Sequence, residues 1–591
     1  MTVAAADSDL RTSLAAVDSG AAATPSCGGD GNVVGSTASP DSSAVSSSSQ
    51  TSVLRQRSCA EIAWAMMMRK RPMRADGARE ALRPTLGALD LTLIGVGSSV
   101  GSGIFVIVGS AVKPTGPAVC LSFLGAAISS IFSALCYAEL AARIPESGSV
   151  YLYAYVAFGE FIALLFGLNV LVDYHFGAAM SVLSCGTYLE KTLLGYFGAS
   201  SPVPSAKVLA ASLTAILTLT LCLGVEEGMK KVNGALVTAK VVIVLIIIVV
   251  GSTKMEVENL EPFFPYGVSP VLSTSTMCCF AYIGFGTVAN AAEECIRPRR
   301  DLPIAIVGSL GICALLYVAF ALVLCGLVPF LEMDKDAPVT DAFGPKYANI
   351  PWVNALVDWG AIIGLYTTLL SGLYSQARMY LAMSRDGLIT RHLGRISTRF
   401  GTPVISQVTC GLLAALLAIF LDVESLSMYL TIGVLLSYTI VCAGVLVLRA
   451  EKPQTTVVCS TGLTVASVGM AVALSVPWTF DHGGVVQAVV VSVLGIAVLA
   501  SSGPLLCQKY STPTSFACPL TPLLPMIGIL LNGFLLAQCH WQAWVRLAGT
   551  TVLVMLVYFI RVGRTAMRER AVARQLLLAP GSEQLAEVQA H

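Results

Sequence analysis

One pattern recurs fourteen times along the chain: a long run of mostly apolar residues, then a short polar connector. The runs lie at approximately 90–111, 117–141, 159–187, 206–225, 232–251, 270–292, 303–329, 353–377, 403–421, 426–448, 460–477, 485–507, 521–538 and 541–560. A helix needs about 20 apolar residues to cross roughly 30 Å of hydrocarbon, where it must satisfy its own backbone polar groups. Of the 591 residues 55% are apolar and 12% charged, against about 45–50% and about 25% in soluble domains. That leaves too little charge to coat a soluble surface. The expected fold class is an all-α polytopic membrane protein, embedded in a lipid bilayer.

An even number of spans puts both termini on one side. With that side cytoplasmic, the inner segments hold 28 Lys and Arg and the outer ones 7: Lys113, Lys191, Lys207, Lys254, Lys335, Lys346 and Arg546. Lys240 alone is counted as lying within a span. The bias obeys the positive-inside rule and supports the count. Because 36 Lys and Arg nearly cancel 35 Asp and Glu, net charge points to no nucleic-acid partner.

Residues 1–54 form a Ser-rich tail, with 13 serines and no aromatic residue in the first 52. Such a segment buries too little apolar surface to offset its ordering entropy, so disorder is expected. It has no secretory-signal pattern. A basic juxtamembrane segment, 55–85, contains Arg69-Lys70-Arg71. A core of ten spans (86–450), four further spans (451–562) and a polar tail (563–591) complete the expected organisation. The 17 cysteines show no CxxC pair and read as small packing residues, not a disulfide or metal framework. HExxH and Gly-rich phosphate loops are absent, as is any N-x-S/T sequon. No enzyme, catalytic residue, metal or cofactor is expected.

The chemistry concentrates at mid-membrane. The first span runs Gly95-Val-Gly97-Ser98-Ser99-Val-Gly101-Ser102-Gly103. Each glycine disfavours helix by about 1 kcal/mol relative to alanine, so the run invites a break. Amides freed at the start of the second half-helix suit a carboxylate. The alternative is a small-residue stripe for close packing, since Gly97 and Gly101 have GxxxG spacing.

The sixth span, five helices later, repeats the theme in Phe280-Ala281-Tyr282-Ile283-Gly284-Phe285-Gly286. Interrupted spans at corresponding places in two halves point to an inverted-repeat transporter with a midplane site. Spans 1–5 and 6–10 then form a 5+5 repeat, with four C-terminal helices added.

Lys240 lies nine residues from Lys231, at a depth of roughly 14 Å. That is beyond easy snorkelling, so it must face the bundle interior with oxygen partners. Burial disfavours its charged form, making it either a proton carrier or a fixed internal tie. Asp173, deep in the third span, meets either a cationic substrate or an internal partner. Its neighbour His175 does not share its helix face. Glu139 and Arg143 read as an ordinary i,i+4 surface or gate pair, and Arg299-Arg300-Asp301 and Arg385-Asp386 as inner connectors.

Several runs together resemble the cationic amino acid transporters of the amino acid–polyamine–organocation superfamily. They are Leu86 to Phe105, Cys136-Tyr-Ala-Glu139 through Tyr151, Phe280 to Gly286 with Glu293-Glu294, Ser384-Arg385-Asp386-Gly387, Asp422 through Tyr438, and Pro519 to Pro525. The resemblance implies a LeuT-type core working by alternating access. It implies that an α-amino acid's carboxylate meets backbone at Gly101, Ser102 and Gly103. Its ammonium would meet carbonyls around Phe280, Ala281 and Ile283, beside Gly284. Lys240 matches the lysine that replaces a sodium ion in sodium-coupled relatives, implying proton coupling or exchange. Asp173 matches the acid of the cationic subfamily. One departure stands out: where such transporters read Gly-Phe-Asp, this chain has Gly284-Phe285-Gly286.

The expected function is secondary transport of L-amino acids, with arginine, lysine or ornithine as preferred substrates. A neutral amino acid or amine carrier, or a non-transporting sensor, is the alternative. The expected location is the plasma membrane, with a vacuolar or lysosomal membrane as the alternative.

Overall fold

The computed structural model describes residues 59–71, 84–198, 203–223, 226–334, 338–344, 346–397, 399–475 and 483–578. The readings for tail 1–54 and for 579–591 fall outside these residues. Among the described residues the only β-structure is two isolated bridges, Leu86 with Cys295 and Ala450 with Tyr510. The described part lies chiefly within one unit, Ser58–Val572.

Helix α1 (Cys59–Met67) precedes the first apolar run, which is split into α2 (Ala88–Ser99) and α3 (Ser102–Phe105). Next, α4 (Ile107–Thr115) leads through a 3-10 turn into α5 (Val119–Arg143). A short buried helix, α6 (Ser149–Ala157), meets α7 (Glu160–Phe197) at Gly159. That residue has φ +111, and a side chain there would strike the Met67 carbonyl, so only glycine makes this turn without strain. Helices α8 (Ala206–Cys222) and α9 (Glu226–Ser252) complete the first five spans.

The second five begin with α10 (Ser269–Cys278), a 3-10 stretch at Cys279–Tyr282, and α11 (Gly284–Asn290). They continue with α12 (Pro298–Leu327), the short α13 (Pro338–Phe343), α14 (Pro351–Arg385), α15 (Val404–Phe420), α16 (Val423–Tyr429) and α17 (Ile432–Arg449). Prolines open α10, α12 and α14, where a missing N–H leaves no helical bond unmade. Helices α18 (Pro453–Ser475), α19 (Gly483–Cys507), α20 (Leu523–Ala537) and α21 (Trp541–Leu578) follow.

Among the described residues, 11 segments are long and apolar enough to span a membrane. Helices α8, α15 and α20 are apolar too, but only 17, 17 and 15 residues long. They occupy the fourth, ninth and thirteenth expected runs, so length and composition establish eleven of the fourteen. Burial locates the core: the window in Val423–Arg449 is 89% buried and that in Ser269–Asn290 78%, against 11% in Val486–Cys507. The interrupted helices are the innermost ones. Around them α5 packs along α12, and α7 along α14.

Two local expectations change. The sixth span is not unwound at its glycines; it tightens into 3-10 helix just before them, and Gly284 opens the next helical piece. The tenth span, expected to be continuous, breaks at Leu430 and Thr431, where Thr431 adopts φ +87. A side-chain acceptor from another helix explains that second break, as described below.

Candidate functional site

The break in the first span lies at Val100 and Gly101, both outside helical geometry. Two consequences follow from it. Carbonyls at the end of α2 lose their helical donors, and amides at the start of α3 lose their helical acceptors.

The carbonyls find donors from neighbouring helices. Lys240 Nζ donates to Gly97 O at 2.6 Å and to Thr367 Oγ1 at 2.8 Å. Thr368 Oγ1 donates to Gly97 O at 3.2 Å and to Val100 O at 3.3 Å. A fully buried ammonium thus sits at the C-terminal, partially negative end of a half-helix. The expected oxygen partners of Lys240 are present.

The amides of Gly101, Ser102 and Gly103 open α3, where no carbonyl lies one turn behind them. Ser181 Oγ of α7 donates to Ser102 Oγ at 3.2 Å, and Tyr188 Oη donates to Phe105 O at 2.8 Å. The second interrupted segment packs directly against this one. A Cβ on Gly103 would lie 2.6 Å from the Ala281 Cβ, and one on Gly284 would overlap Ser99 Oγ and Gly95 O. Both glycines are therefore contact residues that let the two breaks meet. Ile283 N–H donates to Phe280 O at 3.2 Å, Tyr317 Oη to Ala281 O at 3.1 Å, and Gly286 N–H to Ile283 O at 2.9 Å. Each carbonyl keeps a second lone pair.

Helix α7 presents one face to this junction. Asp173, Gly177 and Ser181 recur every four residues, and the Phe280 ring lies over Gly177, 2.9 Å from where its Cβ would be. Asp173, fully buried, accepts Val434 N–H at 2.8 Å through Oδ2 and pairs with Arg546 of α21 through Oδ1. It thereby caps α17 after the break at Thr431. Gly286 faces the Tyr174 hydroxyl, which would stand 3.2 Å from a Cβ there. His175 Nε2 lies 2.9 Å from Tyr380 Oη, away from Asp173.

Seven of the expected site residues (Gly101, Ser102, Gly103, Phe280, Ala281, Ile283 and Gly284) are brought together. Lys240 adjoins them behind α2, and Asp173 lies one turn along α7 from the Phe280 contact. Ser181, Thr367, Thr368, Tyr317 and Arg546 were not anticipated. Arg546 was counted as an outer-loop charge, although it falls inside an apolar run, which is itself the signal of a functional intramembrane ion.

Other ionic groups gather toward the end of the bundle that carries Glu160. Glu139 is not a surface residue: fully buried, it takes Arg449 Nε at 2.8 Å and Nη2 at 2.6 Å, Arg143 at 3.1 Å and the Cys518 amide at 2.8 Å. A carboxylate with so many donors is far better compensated than an i,i+4 pair alone. Arg378, one residue past the end of the eighth expected run (353–377), is buried in α14 against Glu294. Arg71 pairs with Glu146 at 2.6 Å and Asp386 at 3.3 Å. Glu160 pairs with Arg69 at 2.6 Å and with Arg561 of α21 at 2.9 Å.

Comparison with known proteins decides the family. Residues 86–500 match the model for amino acid permeases, and 516–566 match that for the C-terminus of such permeases. The chain belongs to the amino acid permease family. The permease is 38% identical over 532 residues to cationic amino acid transporter 9, chloroplastic, of Arabidopsis thaliana, covering 84% of this chain and 92% of that one. It is 31% identical to cationic amino acid transporter 4 of Homo sapiens, covering 85% and 91%. Branched-chain amino acid permease BcaP of Bacillus subtilis is 30% identical, covering 82% and 94%. Among solved structures, MhsT in complex with L-phenylalanine superposes with a TM-score of 0.50 at 15% identity, covering 71% of the permease and 99% of MhsT. That likeness supports the LeuT-type core of the fold.

Proposed function

We propose that this permease carries cationic L-amino acids, with arginine, lysine and ornithine as its substrates, by alternating access. The observation that carries the reading is the junction of α3 with the 3-10 stretch at Cys279–Tyr282. Amides at Gly101–Gly103 face a carboxylate, and carbonyls at Phe280, Ala281 and Ile283 an ammonium. The family membership and the named substrates of several relatives support the cationic preference. Asp173, one turn away on α7, is the acid nearest this junction on that helix face.

Lys240 holds the place of a coupling cation at the end of α2. A resident ammonium there makes sodium unnecessary and favours a proton gradient or exchange as the driving force. Both termini are read as cytoplasmic and the plasma membrane as the location. The ion pairs of Arg71, Glu146 and Asp386 then form the inner closure. Uptake of labelled arginine into proteoliposomes, with an imposed proton or sodium gradient, tests this. Saturable uptake raised by the proton gradient or by internal arginine is expected. Uptake that requires sodium, or is not competed by lysine, contradicts it.

A further inference from the structure

The Asp173–Arg546 pair has an unusual geometry for a buried guanidinium. Both side chains are more than nine-tenths buried, at 0% and 7% exposure. Arg546 reaches Asp173 through Nη1 alone, while its Nε and Nη2 have no acceptor among the described residues. The two other buried arginines, Arg449 on Glu139 and Arg378 on Glu294, grip their carboxylates through the Nε and Nη2 edge. Arg546 is thus held by one contact, with the Phe176 ring 5.8 Å from its Cζ. Its partner carboxylate is better fixed, since Val434 N–H holds Asp173 Oδ2. Of the two, the cation is the replaceable member.

Position gives this a function. Asp173 lies four residues, about 6 Å along the helix axis, from Gly177, over which the Phe280 ring packs. That is within reach of a side chain whose α-carbon sits at the junction. Arg546 stands five residues into α21, roughly 7.5 Å from its first residue, and a long side chain can swing toward that end.

We propose that Arg546 is a resident stand-in for the substrate's cationic side chain. It neutralises Asp173 in the empty carrier and gives way when an arginine or lysine side chain takes that carboxylate. This deepens the cationic-substrate reading above and rests on it. An isolated buried carboxylate is strongly disfavoured. Arg546 therefore lets the empty carrier return without an uncompensated charge, and it also competes with substrate. It is a selectivity residue supplied by the four helices beyond the ten-span core.

The test is R546Q in proteoliposomes, with R561Q as control. Arg561 ties the same helix to α7 through Glu160, away from the junction. For R546Q we expect the arginine KM to fall at least threefold while a neutral amino acid's KM stays within twofold. Exchange against internal arginine should exceed net uptake by a larger ratio than in wild type, because return of the empty carrier slows. R546K should restore the wild-type ratio, and R561Q should leave both measures unchanged. Unaltered KM and exchange ratio in R546Q, or the same changes in R561Q, overturn the proposal. The double variant D173N/R546Q, which buries no charge, covers the case where R546Q does not fold. Its arginine KM should rise at least tenfold with the exchange ratio as in wild type, and an unchanged KM overturns the proposal. Wild-type uptake tests the substrate reading separately: if wild type carries no arginine, that reading fails first.

Discussion

Lys240 places its ammonium 2.6 Å from the carbonyl oxygen of Gly97, two residues before α2 ends. The contact joins the fifth span to the broken first span behind the candidate site. It supplies a positive charge where the half-helix presents its partially negative end.

Replacing Lys240 by methionine keeps the volume and removes the charge. Gly97 O retains Thr368 as a donor, so stability should change little; swapping a buried charge for an apolar side chain is often near neutral. Transport should fall at least tenfold, and any stimulation by a proton gradient should vanish. Parallel thermal melts and arginine uptake check both. A K240M protein with wild-type gradient stimulation would exclude Lys240 from coupling.

Gly103→Val should disable the carrier. Its Cβ would lie 2.6 Å from the Ala281 Cβ, and overpacking of this kind costs about 1–3 kcal/mol. Gly195→Ala is the matched control, since nothing lies within 4 Å of a Cβ there. Uptake and melting temperature should drop in the first and hold in the second.

Glu139→Gln breaks the buried bidentate pair with Arg449. Removing one partner of such a pair destabilises by about 3–5 kcal/mol. E139Q should therefore melt well below wild type in detergent, whereas E139M/R449M, with no uncompensated charge, should recover most of the loss. Equal melting of E139Q and wild type would show that the pair carries little stability.

Much of this was legible beforehand. The positions of the apolar runs, the break at Gly101 and the interior placement of Lys240 follow from hydrophobic length, glycine clustering and the unfavourable energy of a buried charge. Other features depend on partners distant in sequence. Glu139 looks like a local i,i+4 pair until α17 brings Arg449 alongside. The break at Thr431 contains no glycine or proline to announce it, because the Asp173 carboxylate on α7 stabilises the helix start that follows. Arg546 was misread because it lies near the end of its run, where a charge is ordinarily taken to face water.

Gly286→Asp tests the departure at the sixth span. The new carboxylate would sit beside the Tyr174 hydroxyl, which stands 3.2 Å from the Cβ position and can donate to it. Preference for arginine over leucine, read as the ratio of their inhibition constants, should rise at least fivefold. An unchanged ratio would place the substrate side chain elsewhere.

The central claim is that an amino acid is gripped where the two interrupted helices meet, and Ser102→Leu tests it most directly. Ser102 is 1% exposed and bonded to Ser181 at 3.2 Å, so a larger side chain fills the junction. Wild-type liposomes should take up labelled arginine saturably, and S102L liposomes should not, although the variant still melts cooperatively. Arginine uptake by folded S102L at the wild-type rate and KM would contradict the account.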